Sequence, residues 1–470
     1  MDRIFNGDTA EKIGDKVKVC GWVDSIRTHG KLIFIDLRDK TGFLQAVFAG
    51  SSDAIKSYET AKQLRPEWVV EITGQVQQRP KGMENAEMPT GKIELVGETL
   101  TVLNQSITPP FELTGDTRKV NEETRLKYRY LDLRTERMRA NLILRHKVVK
   151  FFRDFMDSRG FIEIETPLLT KSTPEGARDF IVPSRLRPGQ FYALPQSPQQ
   201  YKQLLMVGGL ERYFQVVKCL RDEDPRADRQ PEFTQMDIEM SFVEQDDILA
   251  MIEDFYISLI RELFSDKTIT QVPFPRIPYK EAMEKYQSDK PDLRKDKNNP
   301  NELAFVFITD FPMFEWHEGD PSTHSGRGWG ATHHPFTSPK TNDIEQIKKF
   351  PESILACQYD VALNGYEIGG GSIRTTNDDV LTAVFEVLGH SKPEIEAQFG
   401  HLLAAFQYGV PPHGGIALGL DRLAMLLAGE SSIREVIAFP KTGDAWDPMM
   451  DTPSAVSKEQ LKELKLKIVE

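Results

Sequence analysis

A chain of 470 residues, at roughly 150 per domain, provides for two or three domains with real hydrophobic cores. Hydrophobic residues at 39% and charged residues at 28% exclude a disordered chain, and no apolar run nears the roughly 20 residues that span a bilayer, so no membrane partner is expected. The net charge of −12 excludes a surface that grips nucleic acid everywhere.

The first twenty residues mix acids with bases and have no apolar h-region, so neither a signal nor a transit peptide is expected and the cytoplasm is the default compartment. Cys20, Cys219 and Cys357 are odd in number and far apart, which argues for reduced thiols rather than a disulfide scaffold or a zinc site. Next come short strands: Val17, Val19 and Val23 alternate with polar or small residues, as do Ile33, Ile35 and Leu37, then Leu44, Ala46 and Phe48, then Val70 with Ile72 and Ile93 with Leu95. Five short strands with a helical stretch at about 51–64 fit a small Greek-key barrel of the oligonucleotide-binding type over 1–107. If Ile33, Ile35 and Leu37 face the core, Phe34 faces out, and by the same argument so does Gln45. An outward aromatic can stack on a base, and an amide can bond to its edge.

Residues 108–137 read as a basic hinge, and between 116 and 150 eleven Lys and Arg face five Asp and Glu. Beyond it, Met138, Leu142, Val149, Phe152 and Met156 recur at helical spacing up to Gly160, and a strand over 161–166 leads to Pro167. Strands over 212–221 and 232–243 joined by a polar loop predict an antiparallel hairpin rather than a Rossmann-type sheet, followed by a helix over 246–264. The fold class is therefore α+β.

Neither a P-loop nor a dinucleotide fingerprint is present, so a bound nucleotide would have to be held by side chains. Arg221 ends one hairpin strand and suits bidentate contact with a phosphate; Asp222, Glu223 and Gln230 lie in the loop. The segment Gly414 to Arg422 is a glycine-rich strand running into a helix, with Gly419, Leu420, Asp421 and Arg422 at the junction, where the helix dipole attracts an anion. Asp360, Glu367 and Arg374 are spaced seven apart around three consecutive glycines, and two carboxylates with few other ligands suit Mg²⁺.

Arg221-Asp222-Glu223 in a hairpin, the later Gly-Leu-Gly-Leu-Asp-Arg, and a helix-strand-Pro element before both resemble the three motifs of a class II aminoacyl-tRNA synthetase. Thr173 to Asp179, Gln196 to Gln199 with Lys202, Arg226 to Gln235 and His333 to Thr337 resemble bacterial-type aspartyl-tRNA synthetase over nearly the whole chain. One departure is that the large domain usually inserted between the second and third motifs is missing near 295–303, within a catalytic domain spanning 138–470.

The resemblance implies activation of L-aspartate with ATP and transfer to tRNA-Asp, with tRNA-Asn as a further candidate, by a homodimer that uses Mg²⁺. Arg221 would grip the α-phosphate and the substrate carboxylate, Glu223 and Gln230 the adenine side, and Arg422 the γ-phosphate. Asp222, Gly419, Leu420 and Asp421 would complete the ATP site, with Asp360 and Glu367 on the metal. Glu175 and Asp237 would bind the substrate's ammonium group, Gln199 would orient the substrate, and Lys202, Arg374 and His333 or His334 would take its side chain. Arg27, His29, Phe34, Gln45 and Glu94 match anticodon-binding positions, and His29 resembles the variant that charges both tRNAs. An asparaginyl enzyme and a non-catalytic synthetase-like binding protein are the alternatives.

Overall fold

The apolar residue of each alternating pair turns inward in the first hundred residues, as expected. The computed structural model describes residues 2–50, 55–172, 177–224, 228–318 and 328–469, in two compact units, Met1–Val120 and Asn121–Glu470. In the first, β1 (Lys16–His29), β2 (Leu32–Asp39), β3 (Gly42–Ala49), β4 (Val69–Gln78) and β5 (Ile93–Asn104) close a barrel in the order β1-β2-β3-β5-β4. Val19, Val23, Ile35, Leu44, Phe48 and Ile72 are fully buried in it, each worth roughly 1.5–3 kcal/mol relative to exposure. A short helix, α1 (Ile55–Ala61), packs Tyr58 and Ala61 against this core.

In the second unit, α2 (Glu136–Asp157) starts at Thr135, whose side chain accepts from Met138 N, and ends before Gly160 at φ 74°. It is followed by β6 (Ile162–Glu163), α3 (Gln199–Val207), β7 (Arg212–Leu220), β8 (Glu232–Ser241), α4 (Gln245–Leu263), β9 (Arg276–Pro278), β10 (Phe305–Thr309), β11 (Gln358–Leu363), β12 (Tyr366–Ile373), β13 (His413–Gly419) and α5 (Leu420–Ala428). Eight of these strands form one sheet in the order β9-β10-β11-β12-β13-β8-β7-β6. Its middle is antiparallel, and parallel pairing is confined to the two ends, β6 with β7 and β9 with β10. Phe152 and Phe155 of α2 and Ile252 and Phe255 of α4 pack against Met236, Ile238 and Ile416, so one face of the sheet is the core. Period-2 alternation sends Asp237 and Glu239 to the other face.

Two expectations are adjusted. The strand expected over 161–166 is regular only at Ile162–Glu163; beyond it the chain is held by Ile164 N on Phe214 O and then by side chains. The basic segment is not all hinge. The contacts divide the chain at 120/121, and Arg125 and Arg129 are buried in the second unit. Arg125 bonds Glu435 at 2.7 and 3.0 Å, and Arg129 bonds Asp132 at 2.7 Å and the carbonyls of Arg434, Ile437 and Ala438. Arg137 and Arg145 pair with Glu430 and Asp421. Much of the stripe's charge is spent inside the fold rather than offered to a polyanion.

Where the inserted domain is missing, residues 294–303 form a self-capped loop. Glu302 accepts from Lys295 N and Asp296 N at 2.8 and 3.1 Å, and Asn364 clasps Glu302 O and Ala304 N, both at 2.9 Å.

Candidate active site

The face of the sheet opposite the core carries a cleft of about 330 Å³. Lys202, Arg221, Asp237, His333, Arg374 and Arg422 line it, together with Gln199, Glu223, Gln230, His334, Glu367, Gly419 and Asp421. Strand pairing gathers residues far apart in sequence here: Asp237 lies opposite Ala417, and Gly370 is also opposite Ala417 on the far side, while helix α3 brings Gln199 and Lys202 and helix α5 brings Arg422.

The floor is an ion-pair lattice. Lys202 Nζ donates to Asp237 Oδ1 at 2.7 Å and stands 3.2 Å from Glu239 Oε2, while Arg374 forks onto Glu239 at 2.8 and 3.0 Å. Glu239 was not anticipated from sequence, although its two-residue spacing from Asp237 on a strand with an apolar opposite face was a readable signal. Burial opposes its charge, but Arg374 and Lys202 outweigh burial and hold its pKa down at about 2. Burial raises the pKa of Asp237 despite Lys202. Glycine is required at 415, where a Cβ would stand 2.1 Å from Glu239 Oε2.

The two histidines divide their duties. Arg374 Nη1 and His334 Nε2 are 2.6 Å apart, and since guanidinium only donates, Nε2 is the acceptor and the ring is neutral. Its Nδ1 faces Thr337 Oγ1 at 3.4 Å, and Thr337 and Arg374 both meet Ser372 Oγ. His334 therefore fixes Arg374, while His333, tilted against it at 4.8 Å between centroids, lines the cleft beside it. Burial and the cations Arg374, Arg221 and Lys202 push His333 down to about 3, and burial and Arg374 push His334 well below its ordinary value. Both stay neutral at physiological pH. Affinity for an anionic ligand in this cleft should accordingly show no inflection near pH 6.5, whereas a ligand ammonium held by Asp237 should weaken as pH falls through that residue's raised pKa; KM against pH measures both.

At the other end, Arg221 lies over the Phe233 ring at 5.1 Å, and its buried Nε has no hydrogen-bond partner among the described residues. A buried guanidinium N–H in that state suits an incoming anion. Arg422 stands 3.2 Å from Asp228 Oδ2 and donates to Glu367 O at 2.8 Å. Asp421 is turned away from it, accepting from Arg145 and from Thr234 N at 2.9 Å, so it ties α2 to β8. Leu420 is buried in the hydrophobic core. The Gln230 amide exchanges two bonds with the Lys441 backbone at 2.8 and 3.1 Å, and Glu223 pairs with Arg229 at 3.5 Å. Asp222 is joined through its backbone to Arg178. Glu175 lies outside the described residues, but the following Ala177 is pinned on both backbone atoms by Gln196 at 3.0 and 2.7 Å.

Asp360 is buried beneath Gly370, where a Cβ would meet its Oδ1 at 2.9 Å. Burial and the charge of Glu367 lift its pKa well above the carboxylate range. A hard cation between the two would relieve both effects, so the pair fits Mg²⁺.

On the barrel, Arg27 Nη2 meets Asp36 Oδ1 at 3.0 Å and Gln45 Oε1 at 3.3 Å, and Gln45 Nε2 meets Glu94 Oε2 at 3.0 Å. One row thus crosses β1, β2, β3 and β5. Phe34 pairs with Arg27 across β1 and β2, its neighbours Ile33 and Ile35 are inside, and His29 is exposed at the turn. Asp36, missed from sequence, holds Arg27 and accepts from Ser25 Oγ at 2.6 Å.

Residues 121–443 match the family of class II tRNA synthetases (D, K and N), and residues 17–103 match the OB-fold nucleic acid binding domain. A relative from Rubrobacter xylanophilus named aspartate–tRNA(Asp/Asn) ligase is 42% identical, covering 98% of this chain and 95% of its own; one of the same name from Syntrophomonas wolfei is also 42% identical, covering 97% of each. The first alignment runs over 582 positions, so at least 112 of them have no counterpart in a chain of 470. Among solved structures, the asparaginyl-tRNA synthetase of Pyrococcus horikoshii with asparaginyl-adenylate shares the fold with a TM-score of 0.75 at 24% identity, over 94% of this chain and 98% of that one. No helix among the described residues is long and apolar enough to cross a membrane. By both the domain match and the full-length similarity, the chain belongs to the class II tRNA synthetases.

Proposed function

We propose that this enzyme is an aspartate–tRNA ligase. The observation that carries the reading is the charge of the cleft floor. Lys202 and Arg374 face two carboxylates, Asp237 and Glu239, and both histidines are neutral, so once a substrate ammonium pairs with Asp237 one positive charge is left over. The side-chain carboxylate of aspartate matches it, whereas the amide of asparagine leaves it buried and unmatched. Asp237 takes the ammonium group with Glu175, and Gln199 orients the substrate. The substrate's α-carboxylate attacks the α-phosphate of ATP, pyrophosphate leaves, and the terminal ribose hydroxyl of tRNA then displaces AMP. Arg221 holds the α-phosphate and substrate carboxylate, Glu223 and Gln230 border the adenine, and Arg422 neutralises the γ-phosphate. Mg²⁺ held by Asp360 and Glu367 would supply further neutralisation of the phosphates. The test is ATP–pyrophosphate exchange: aspartate is expected to drive it and asparagine not, and exchange with asparagine alone, or with neither, defeats the reading.

We further infer a homodimer and a tRNA-reading barrel. Leu168 and Leu169, both 53% exposed, and Ile162, 49% exposed, flank Pro167 beside the terminal strand β6, an apolar patch suited to a second copy. On the barrel, Phe34→Ala is expected to weaken tRNA charging by about 5- to 150-fold, from about 1 to 3 kcal/mol per lost base stack, with exchange unchanged. An equal loss in both assays would mean misfolding. The names of the relatives and the exposed His29, whose imidazole can donate to or accept from a base edge, support acceptance of tRNA-Asn beside tRNA-Asp. Charging of only tRNA-Asp by the wild type would remove that part, and His29→Leu is expected to narrow the choice.

A further inference from the structure

The last rung of the ladder between β8 and β13 is Gln235 opposite Gly419; there the chain leaves β13 and turns into α5, so the ladder stops one residue short of Thr234. The amide of Thr234 is claimed instead by a side chain, donating to Asp421 Oδ2 at 2.9 Å. The other oxygen of that carboxylate, Oδ1, accepts from Arg145 Nη1, which also stands 3.5 Å from Val436 O. Asp421 is buried and lines the cleft, whereas Arg145 belongs to α2 and is not among the described lining residues. Arg145 has no part in the chemistry described above. Each anchor of this carboxylate is nevertheless next in sequence to a residue of the proposed phosphate site. Arg422 follows Asp421 in the first turn of α5 and donates to Glu367 O at 2.8 Å. Phe233 precedes Thr234, and its ring lies 5.1 Å from the Arg221 guanidinium.

We propose that Arg145 is a positioning residue for the ATP phosphates: by holding the Asp421 carboxylate on Thr234 N, it fixes the start of α5 against β8 and so places Arg422 and Arg221. This rests on the reading that those two arginines bind ATP. Without Arg145, Asp421 would be a buried carboxylate with one backbone donor, and such a group either takes a proton or turns to a neighbouring cation. The cation beside it in the chain is Arg422. A protonated Asp421 would loosen its bond to Thr234 N, and an Asp421 turned to Arg422 would neutralise charge meant for phosphate. The aspartate site is built on other contacts, Lys202 with Asp237 and Glu239 and Arg374 with Glu239, so the effect should fall on ATP.

The test is the exchange assay on wild type, Arg145→Met, Arg145→Lys, Asp421→Asn and Arg422→Met, with KM measured separately for ATP and aspartate. Arg145→Met is expected to raise KM for ATP about tenfold, in line with loss of one hydrogen bond to a charged group, while KM for aspartate stays within about twofold. Arg145→Lys keeps a cation and a donor for Oδ1, and should bring KM for ATP back to within about threefold of wild type. Asp421→Asn removes the charge but keeps an oxygen for Thr234 N; it should raise KM for ATP, and adding Arg145→Met to it should change little more. It also reports on the contact if Arg145→Met fails to fold. If Arg422→Met raises KM for ATP and neither Arg145→Met nor Asp421→Asn does, Arg145 has no positioning role and the reading of the phosphate site stands. If Arg422→Met leaves KM for ATP unchanged, that reading fails and takes the proposal with it. Equal rises in both KM values, no recovery with lysine, or additive effects of Arg145→Met and Asp421→Asn would show that Arg145 merely supports the fold, which also overturns the proposal.

Discussion

Arg374→Leu is expected to lower aspartate-dependent pyrophosphate exchange by about two to four orders of magnitude, the equivalent of about 3 to 5 kcal/mol for breaking a buried ion pair. Lys202→Met should do the same. Each variant leaves Glu239 with the other cation, at 3.2 Å from Lys202 or 2.8 Å from Arg374, so the floor keeps a paired carboxylate and loses its surplus positive charge. The aspartate side chain then enters a neutral site that cannot repay its desolvation. ATP binding, proposed above to fall to Arg221 and Arg422, which line the same cleft, should be retained, and calorimetric titration with ATP measures it. Exchange within a few-fold of wild type in either variant would refute the assignment of the side-chain site. Arg374→Leu is the cleaner of the two, because Lys202 also bonds Asp237.

Arg129→Met is expected to destabilise the second unit by about 3 to 5 kcal/mol, read as the shift in denaturant midpoint at constant slope. Arg129 is 1% exposed and Asp132 is 0% exposed. Removing the guanidinium takes one cation from Asp132, which still has Arg125 at 3.2 Å, and strips a donor from three carbonyls between Arg434 and Ala438. A loss below about 1 kcal/mol, the range of a surface pair, would mean that the network is solvated in solution. Glu435 adds a pH dependence. Its carboxyl is held down at about 2 by Arg125 and Arg137 against the cost of burial. A depressed folded pKa stabilises above the unfolded value and is lost as pH falls through about 4.5 toward 2, so the second unit should weaken across that acid window.

What was legible in the chain follows the range of the interactions. The barrel strands could be read because period-2 alternation is local, and Ile33, Ile35 and Leu37 are all inside as expected. The cleft could be read because the motif residues carry their own chemistry: Lys202, Arg221, Asp237, His333, Arg374 and Arg422 all line it. The fate of the basic segment could not. Arg125 finds Glu435 at a separation of 310 residues, and no spacing rule links them. Glu239 illustrates an intermediate case, since its face was predictable but its partners, Lys202 from α3 and Arg374 just past β12, were not. Gln230 shows the reverse: its motif singles it out and it lines the cleft, while its bonds to the Lys441 backbone belong to a segment with no motif.

The self-capped loop at 294–303 makes chain length an independent variable in this architecture. Its C-terminal end is fixed by Asn364 and by parallel pairing of Thr268 and Ile269 with Glu302 and Leu303, and Glu302 in turn holds the N-terminal end at Lys295 N and Asp296 N. Lengthening a flexible connection costs only about 0.6 kcal/mol per doubling. Material added between Asp296 and Asn299 would therefore be energetically separate from β10 and β11, and from Asp360 on the latter. A folded module with closely spaced ends could be grafted there as a reporter or a purification handle, with the cleft behaving as though nothing had been added.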